Sequence, residues 1–314
     1  MQDARNFVLG AKLLQTDSLA QIDTDVYDSL EISDPMFSDY ASRGFVSLPT
    51  NATYQEDVKL CRSIFPSMQV AGKEELAFSV QIAMLFDSVK TKKFLARKKA
   101  EEVINFRGNI EVRQLRLKSI KNDETATTNF KTMFYVVDVE EMLRGEVLPE
   151  MFKDNIVMMG YLGDYLGDPS WDDKFYTPLN KKVAGRAHPD MFGLVLHANA
   201  VTMILNEDYV DELSIWSQYA VAFLVCLLTV ALFIFIDQKL PIWFDALSVI
   251  IQLTELLIII SFIIFAFASW SLKLDLSVAL AVSAFVGPCY DIFKSFQNEI
   301  DRRLTKGKPE VSTP

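Results

Sequence analysis

Hydrophobic patterning divides the chain into two regimes. Through residues 1–216 apolar side chains alternate, or recur in short runs, among charged ones, as in a water-soluble domain. Over residues 217–291 charges nearly vanish, and three apolar stretches are long enough to be read as membrane helices, at about 219–236, 243–270 and 275–290. The second has Trp243 and Trp270 at its ends, where interfacial anchors sit. The third lies between Asp275 and Asp291. Residues 292–314 form a short charged tail, in which Ile292, Phe293, Phe296, Ile300 and Leu304 make an apolar stripe at helical spacing.

Within the first regime the pattern predicts a strand over Asn6 to Leu14, an irregular acidic excursion over Asp17 to Asp39, and a helix end with a short strand over Ala41 to Leu48. Val58 to Met68 reads as an antiparallel strand with Pro66 near its end. Glu74 to Val89 is the cleanest amphipathic helix, burying Leu76, Val80, Ala83 and Met84. A strand over Val103 to Phe106 ends at Arg107-Gly108-Asn109, and Ile110 to Asn129 reads as an inserted hairpin or loop. The apolar run Ile156 to Met159 stops at Gly160 and predicts a buried strand opening into a Gly-, Asp- and Pro-rich loop. A helix then begins near Met191 or Phe192, with His197 and Asn199 pointing away from parts of its apolar stripe. Strands alternating with helices predict an α/β fold with a mixed or mostly parallel sheet and flanking helices, followed by the three-helix transmembrane module.

Charge narrows the function. A net charge of -10 argues against nucleic acid as a partner, and the basic run Lys92 to Lys99 is followed at once by Glu101 and Glu102. Of three cysteines, Cys226 and Cys289 fall in the apolar spans and Cys61 is alone in the first regime, so no disulfide forms there. The stretch from Ala187 to Ser217 contains neither Lys nor Arg, whereas Lys239, Lys294, Arg302, Arg303, Lys306 and Lys308 flank the other side of the spans. That asymmetry places the first regime outside and the C-terminus in the cytoplasm.

No phosphate loop, nucleophile elbow, Cys/His pairing or HExxH helix is present, which argues against an enzyme. Asp164, Asp168, Asp172 and Asp173 are hard-cation ligands by type, but their spacing matches no EF-hand and suits turn capping, so no metal and no cofactor is assigned. Ligands gather where strands end in open α/β sheets, which directs attention to the loop after Met159 and to Asp164, Asp168, Thr177, His197 and Asn199. A hydrogen-bonded, buried role is the favoured reading of His197. In the spans, Glu255 with Gln252 one turn before it is costly in lipid, and Ala279, Ser283 and Gly287 form a small-residue stripe. These five are read as helix-assembly residues.

Several of these segments, in order, resemble a known family. Asn155-Ile156-Val157-Met158-Met159-Gly160, Asp164, Thr177-Pro178, Gly193 and His197-Ala198-Asn199 are similar to the CHASE type-2 domain, a sensory extracellular domain associated with cyclases and histidine kinases. Phe134 to Gly145 is similar to that family's strand, helix and Leu-x-Gly turn, and the three following spans complete the likeness. The resemblance implies a bacterial inner-membrane protein that begins part-way through the domain and carries no output domain. It implies a sensor or ligand-binding protein, ligand unknown, that signals through its helices to another membrane or signalling protein or to a second copy. The alternative is a structural or assembly subunit of a membrane complex.

Overall fold

A computed structural model describes residues 6–16, 26–50, 59–110, 134–165, 168, 170–180 and 188–306. The expected hairpin beyond Ile110, part of the acidic excursion, the start of the Val58 strand and the last residues of the tail lie outside these. The chain forms two compact units, Met1–Tyr209 and Val210–Pro314.

In the first unit, β1 (Val8–Leu14) alternates as expected, burying Ala11 and Leu13 and exposing Lys12 between them. It is the centre of a three-stranded sheet, antiparallel to β2 (Ser29–Glu31) and parallel to β3 (Ser42–Phe45), with Ala11 opposite Phe45. A four-residue helix, α1 (Pro35–Ser38), starts at Asp34, whose carboxylate accepts the Met36 N–H.

The next stretch departs from the expected single strand and single helix. Pro66 lacks an N–H and interrupts the run, leaving β4 (Ser63–Ile64) and β5 (Ser67–Val70) with different partners. β5 turns through Ala71 and Gly72, both at positive φ (49° and 77°), into β6 (Lys73–Leu76), so Leu76 belongs to a hairpin and not to a helix. Helix α2 (Phe78–Phe86) follows, and Asp87 ends it and opens α3 (Ser88–Leu95) by accepting the Val89 and Lys90 N–H groups, each at 3.1 Å. α2 packs hard on β3: a Cβ on Gly44 would stand 2.6 Å from Phe78 Cα, so only glycine fits.

β4 pairs with β7 (Glu102–Val103), a two-residue strand in place of the longer one expected. The expected strand at Phe134 is reduced to one bridge with Ile110, whereas α4 (Val139–Leu143) and the turn at Gly145 (φ 68°) form as expected. Ile156 to Leu162 is not a strand. Among the described residues no backbone group takes part in a ladder with it, and Val157, Met159 and Tyr161 are exposed. Apolar character alone sets no strand; a hydrogen-bonding neighbour is required. β8 (Lys174–Phe175) and β9 (Met191–Phe192) form another two-residue pair before α5 (Gly193–Asn206). Among the described residues the sheets of this unit are small, a mixed one of three strands and several two-stranded pairs, and they do not join into one mostly parallel sheet.

α5 is the axis of the core. Leu196, Ala200, Met203 and Ile204 are fully buried, and His197 and Asn199 are buried with them, so this helix has apolar neighbours nearly all round. Phe45, Ile64, Val80, Phe94 and Met191 complete the cluster. Cys61 is enclosed here too, and burial pushes its thiol up to about 12, an unreactive state.

The second unit holds α6 (Ile215–Lys239), α7 (Phe244–Trp270) and α8 (Ser277–Lys306). All three are long and apolar enough to cross a membrane. α8 runs unbroken through Pro288, so the expected third span and the expected tail are one helix. A short parallel pair, β10 (Asp211–Glu212) with β11 (Leu272–Lys273), ties the segment before α6 to the one between α7 and α8. Two apolar clusters form between the helices. One holds Ala222, Ile259, Ala266 and Ala279, and the other holds Phe233, Ile236, Phe244 and Val286.

Candidate functional site

The residues expected to line a ligand loop all find partners within the first unit. Asp168 accepts the Ser170 N–H (2.8 Å) and the Asp164 N–H (3.1 Å), closing a turn in which Gly163 stands at φ 94°. Those donors, the Ser170 N–H first, hold the Asp168 carboxyl below the usual carboxylate range. Thr177 donates its N–H and its hydroxyl to the two oxygens of Asp190, at 2.9 and 2.6 Å. Burial pushes the Asp190 carboxyl up, and the hydrogen bonds from Thr177 oppose that shift. Asp173 is also raised by burial, with Lys59 opposing, and its carboxylate lies against Gly193 at the N-terminus of α5, where negative charge is favoured.

His197 is 5% exposed. Its Nε2 lies 3.2 Å from the Val46 carbonyl, Phe78 meets the ring edge-on, and Nδ1 has no partner among the described residues. Burial therefore holds the imidazole down at about 4. Asn199 is fully buried and bonds on both sides of its amide. Oδ1 accepts the N–H groups of Arg107 (2.9 Å) and Gly108 (3.1 Å), and Nδ2 donates to the carbonyls of Gly108 and Val195. This clamps the strandless Arg107-Gly108 segment onto α5. The structure thus brings Asp164 to Asp168, while Thr177 bonds the Asp190 carboxylate and His197 and Asn199 each serve a separate backbone segment.

An open cavity of about 510 Å³ lies elsewhere, on β1, β3 and the β5–β6 hairpin. Gly10, Asp39, Arg43, Glu74, Glu75 and Gln81 contribute to its wall. Arg43 bonds Glu75 at 2.7 Å, and Glu74 accepts the Ser67 hydroxyl at 2.6 Å. Three carboxylates and one guanidinium line it, with Glu75 alone paired to Arg43, and the volume falls in the range of small-ligand sites.

The expected helix-assembly residues meet in the second unit, except that Ala279 lies in an apolar cluster. Glu255 on α7 reaches both neighbours: Oε1 is 2.6 Å from the Thr229 hydroxyl of α6, and Oε2 is 2.8 Å from the Ser283 hydroxyl of α8. Thr229 and Ser283 are buried. Gln252 Nε2 donates to the Ser283 carbonyl at 3.1 Å and lies 3.4 Å from that of Ala284. Pro288 has no N–H to offer the Ala284 carbonyl one turn before it, and Gln252 serves that freed backbone group from the neighbouring helix. A Cβ on Gly287 would come within 2.6 Å of Gln252 Nε2, so glycine is what admits the amide. At the far end of the layer, Asp237 pairs with Lys294, whose ammonium also lies over the Phe244 ring.

Sequence reasoning missed Arg43 and Glu75, which carry no motif, and missed Thr229. For Thr229 a signal existed: it is the lone hydroxyl residue between Tyr219 and Asp237. Its partner Glu255 lies 26 residues on.

A mixed α/β unit built round one buried helix, followed in the chain by three membrane-length helices, has the make-up of a membrane-anchored protein. The model of the CHASE2 domain matches residues 6–235, from the strand β1 region into α6. The chain belongs to the CHASE2 domain family, whose members' domain is sensory and extracellular, and its three apolar helices fit membrane anchoring. Neither the curated proteins nor the solved structures include a match.

Proposed function

We propose that this chain is a membrane-anchored sensor that binds a small ligand in its outer unit and passes its state through its helices to a partner protein. The observation carrying this reading is the CHASE2 match, which runs through the whole outer unit into the first membrane-length helix. The lack of Lys and Arg from Ala187 to Ser217, against their presence in the C-terminal part of the third helix, supports an outer domain and a cytoplasmic C-terminus at an inner membrane. The partner is a membrane or signalling protein, or a second copy of the chain. The role is binding, not catalysis.

The cavity at Arg43 is the place for the ligand. Asp39, Glu74 and Glu75 outnumber Arg43, so a small cationic or zwitterionic molecule suits it. The test uses the full chain in lipid nanodiscs, a panel of amino acids and polyamines, and hydrogen exchange. Binding should protect peptides covering 39–44 and 73–81, change exchange in the segment between α7 and α8, and weaken in Arg43→Ala and Glu75→Ala. Panel members that leave exchange unchanged, or that bind both variants as well as the wild type, would remove this site.

A second reading, a structural subunit of a membrane complex, is favoured by one feature. Ile156 to Leu162 is largely apolar, exposes Val157, Met159 and Tyr161, and has no strand beside it among the described residues. Co-purification of a fixed set of companion chains, with this segment protected from exchange, would favour it over the sensor.

A further inference from the structure

One face of α3 is ill suited to water alone. The helix turns Thr91 and Phe94 into the core and leaves Val89, Lys92, Lys93 and the capping Ala96 outside, at the i, i+3, i+4 and i+7 spacing of a single face. Val89 is 77% exposed, and Phe86, the last residue of α2, is 57% exposed on the other side of the Asp87 turn. Large exposed apolar side chains with lysines beside them make up a surface that enters a headgroup layer. The apolar groups reach the acyl boundary, and each lysine stem lies along them while its ammonium stays among the phosphates.

Charge selects the same partner. From Ser88 to Ala100 six residues are basic and none is acidic. Lys90 donates to the Leu205 carbonyl, Lys93 pairs with Glu207, and Arg97 and Lys99 share Glu102. Lys92 and Lys98 are exposed and have no ion pair among the described residues. The other exposed apolar segment, Ile156 to Leu162, has the opposite setting: no Lys or Arg occurs between Asp154 and Asp173, and Asp164, Asp168, Asp172 and Asp173 follow it. An anionic surface repels that segment and attracts α3.

Chain connectivity brings such a surface within reach. The bonds of Lys90 and Lys93 hold α3 to the end of α5. Five residues, Val210 to Ser214, then separate Tyr209 from the start of α6. Six peptide steps span at most about 20 Å. Trp216 and Tyr219, both exposed at the start of α6, are side chains of the kind that sit at headgroup depth.

We propose that Phe86, Val89, Lys92 and Lys93 form a lipid-docking face that takes anionic phospholipid. The lysines hold headgroup phosphates, and Phe86 and Val89 dip to the acyl boundary.

The experiment is photo-crosslinking of the full chain in nanodiscs, with a phosphatidylcholine probe carrying a diazirine near the start of its acyl chain. The discs are either phosphatidylcholine alone or phosphatidylcholine mixed with phosphatidylglycerol, and adducts are mapped by mass spectrometry. Lipid adducts are expected on peptides covering 85–96 in the anionic discs, with fewer in the zwitterionic ones. Lys92→Glu, at an exposed position without an ion pair among the described residues, should lower them at least about fivefold. Val89→Glu should lower them too, while adducts on α6 to α8 stay at the wild-type level and report intact insertion. The proposal is overturned if peptides 85–96 carry no adduct in anionic discs, if they are labelled equally in both lipids, if both variants label as the wild type does, or if these peptides crosslink to a protein chain instead of lipid.

Discussion

Acid should loosen the outer unit through His197. In the folded chain the neutral ring donates from Nε2 to the Val46 carbonyl, while Nδ1 is buried without a partner among the described residues. Adding a proton would place an N–H where nothing accepts it, and burial accordingly brings the group from 6.5 down to about 4. Because the folded value lies below the unfolded one, the contribution is complete above pH 6.5 and is lost as pH falls from there towards 4. Each pH unit separating the folded and unfolded values is worth about 1.4 kcal/mol, so the loss across that window is about 3 kcal/mol, a large share of a typical domain's stability. His197→Gln keeps a donor for Val46 and does not titrate, so it isolates this effect from the neighbouring carboxyls. The assay is urea unfolding of the full chain in nanodiscs at pH 7 and pH 4, read by pulsed hydrogen exchange on peptides of α5. The wild type should lose about 3 kcal/mol more than the variant between the two pH values. Parallel pH dependences would refute the reasoning, since they would show that His197 takes up its proton as readily folded as unfolded.

Two further outcomes are expected. Asn199→Ala leaves the buried N–H groups of Arg107 and Gly108 without their acceptor, and should cost about 2–5 kcal/mol in the same urea assay with exchange rising first around 105–110. Gln252→Leu strips the donor from the carbonyls beside Pro288, and should lower the detergent melting midpoint of the helical unit by the equivalent of about 1–2 kcal/mol. A melting curve unchanged from wild type would show that water or lipid serves those carbonyls equally well.

The long apolar helices were legible because length and lack of charge are local properties; α6, α7 and α8 contain the expected spans. α5 was legible for the same reason, apart from its start at Gly193. Strands were legible only where a partner happened to be present. Ile156 to Met159 has the composition of a strand and no ladder among the described residues, while Glu74 to Leu76, the start of the expected helix, is held as a strand by the Ala71-Gly72 turn. Pro66, expected near the end of one strand, divides two. The site residues illustrate a longer-range limit. His197 is bonded to a carbonyl 151 positions away, and Asn199 to N–H groups 91 and 92 positions away, and no local spacing encodes such pairings. Glu255 is conspicuous in its span by charge alone, whereas its partner Thr229 is an ordinary helical residue until the helices are side by side.

The unbroken course of α8 has a mechanical consequence. Thirty residues at the helical rise make a rod about 45 Å long, against about 30 Å of hydrocarbon, so a push or twist applied at Ser277 arrives at the Lys306 end without a loop to absorb it. The rod has one compliant point, Pro288, and its stiffness there is lent by a side chain of another helix, Gln252. How faithfully the rod transmits motion is therefore governed from α7, by whether that amide is seated in the notch that Gly287 leaves for it.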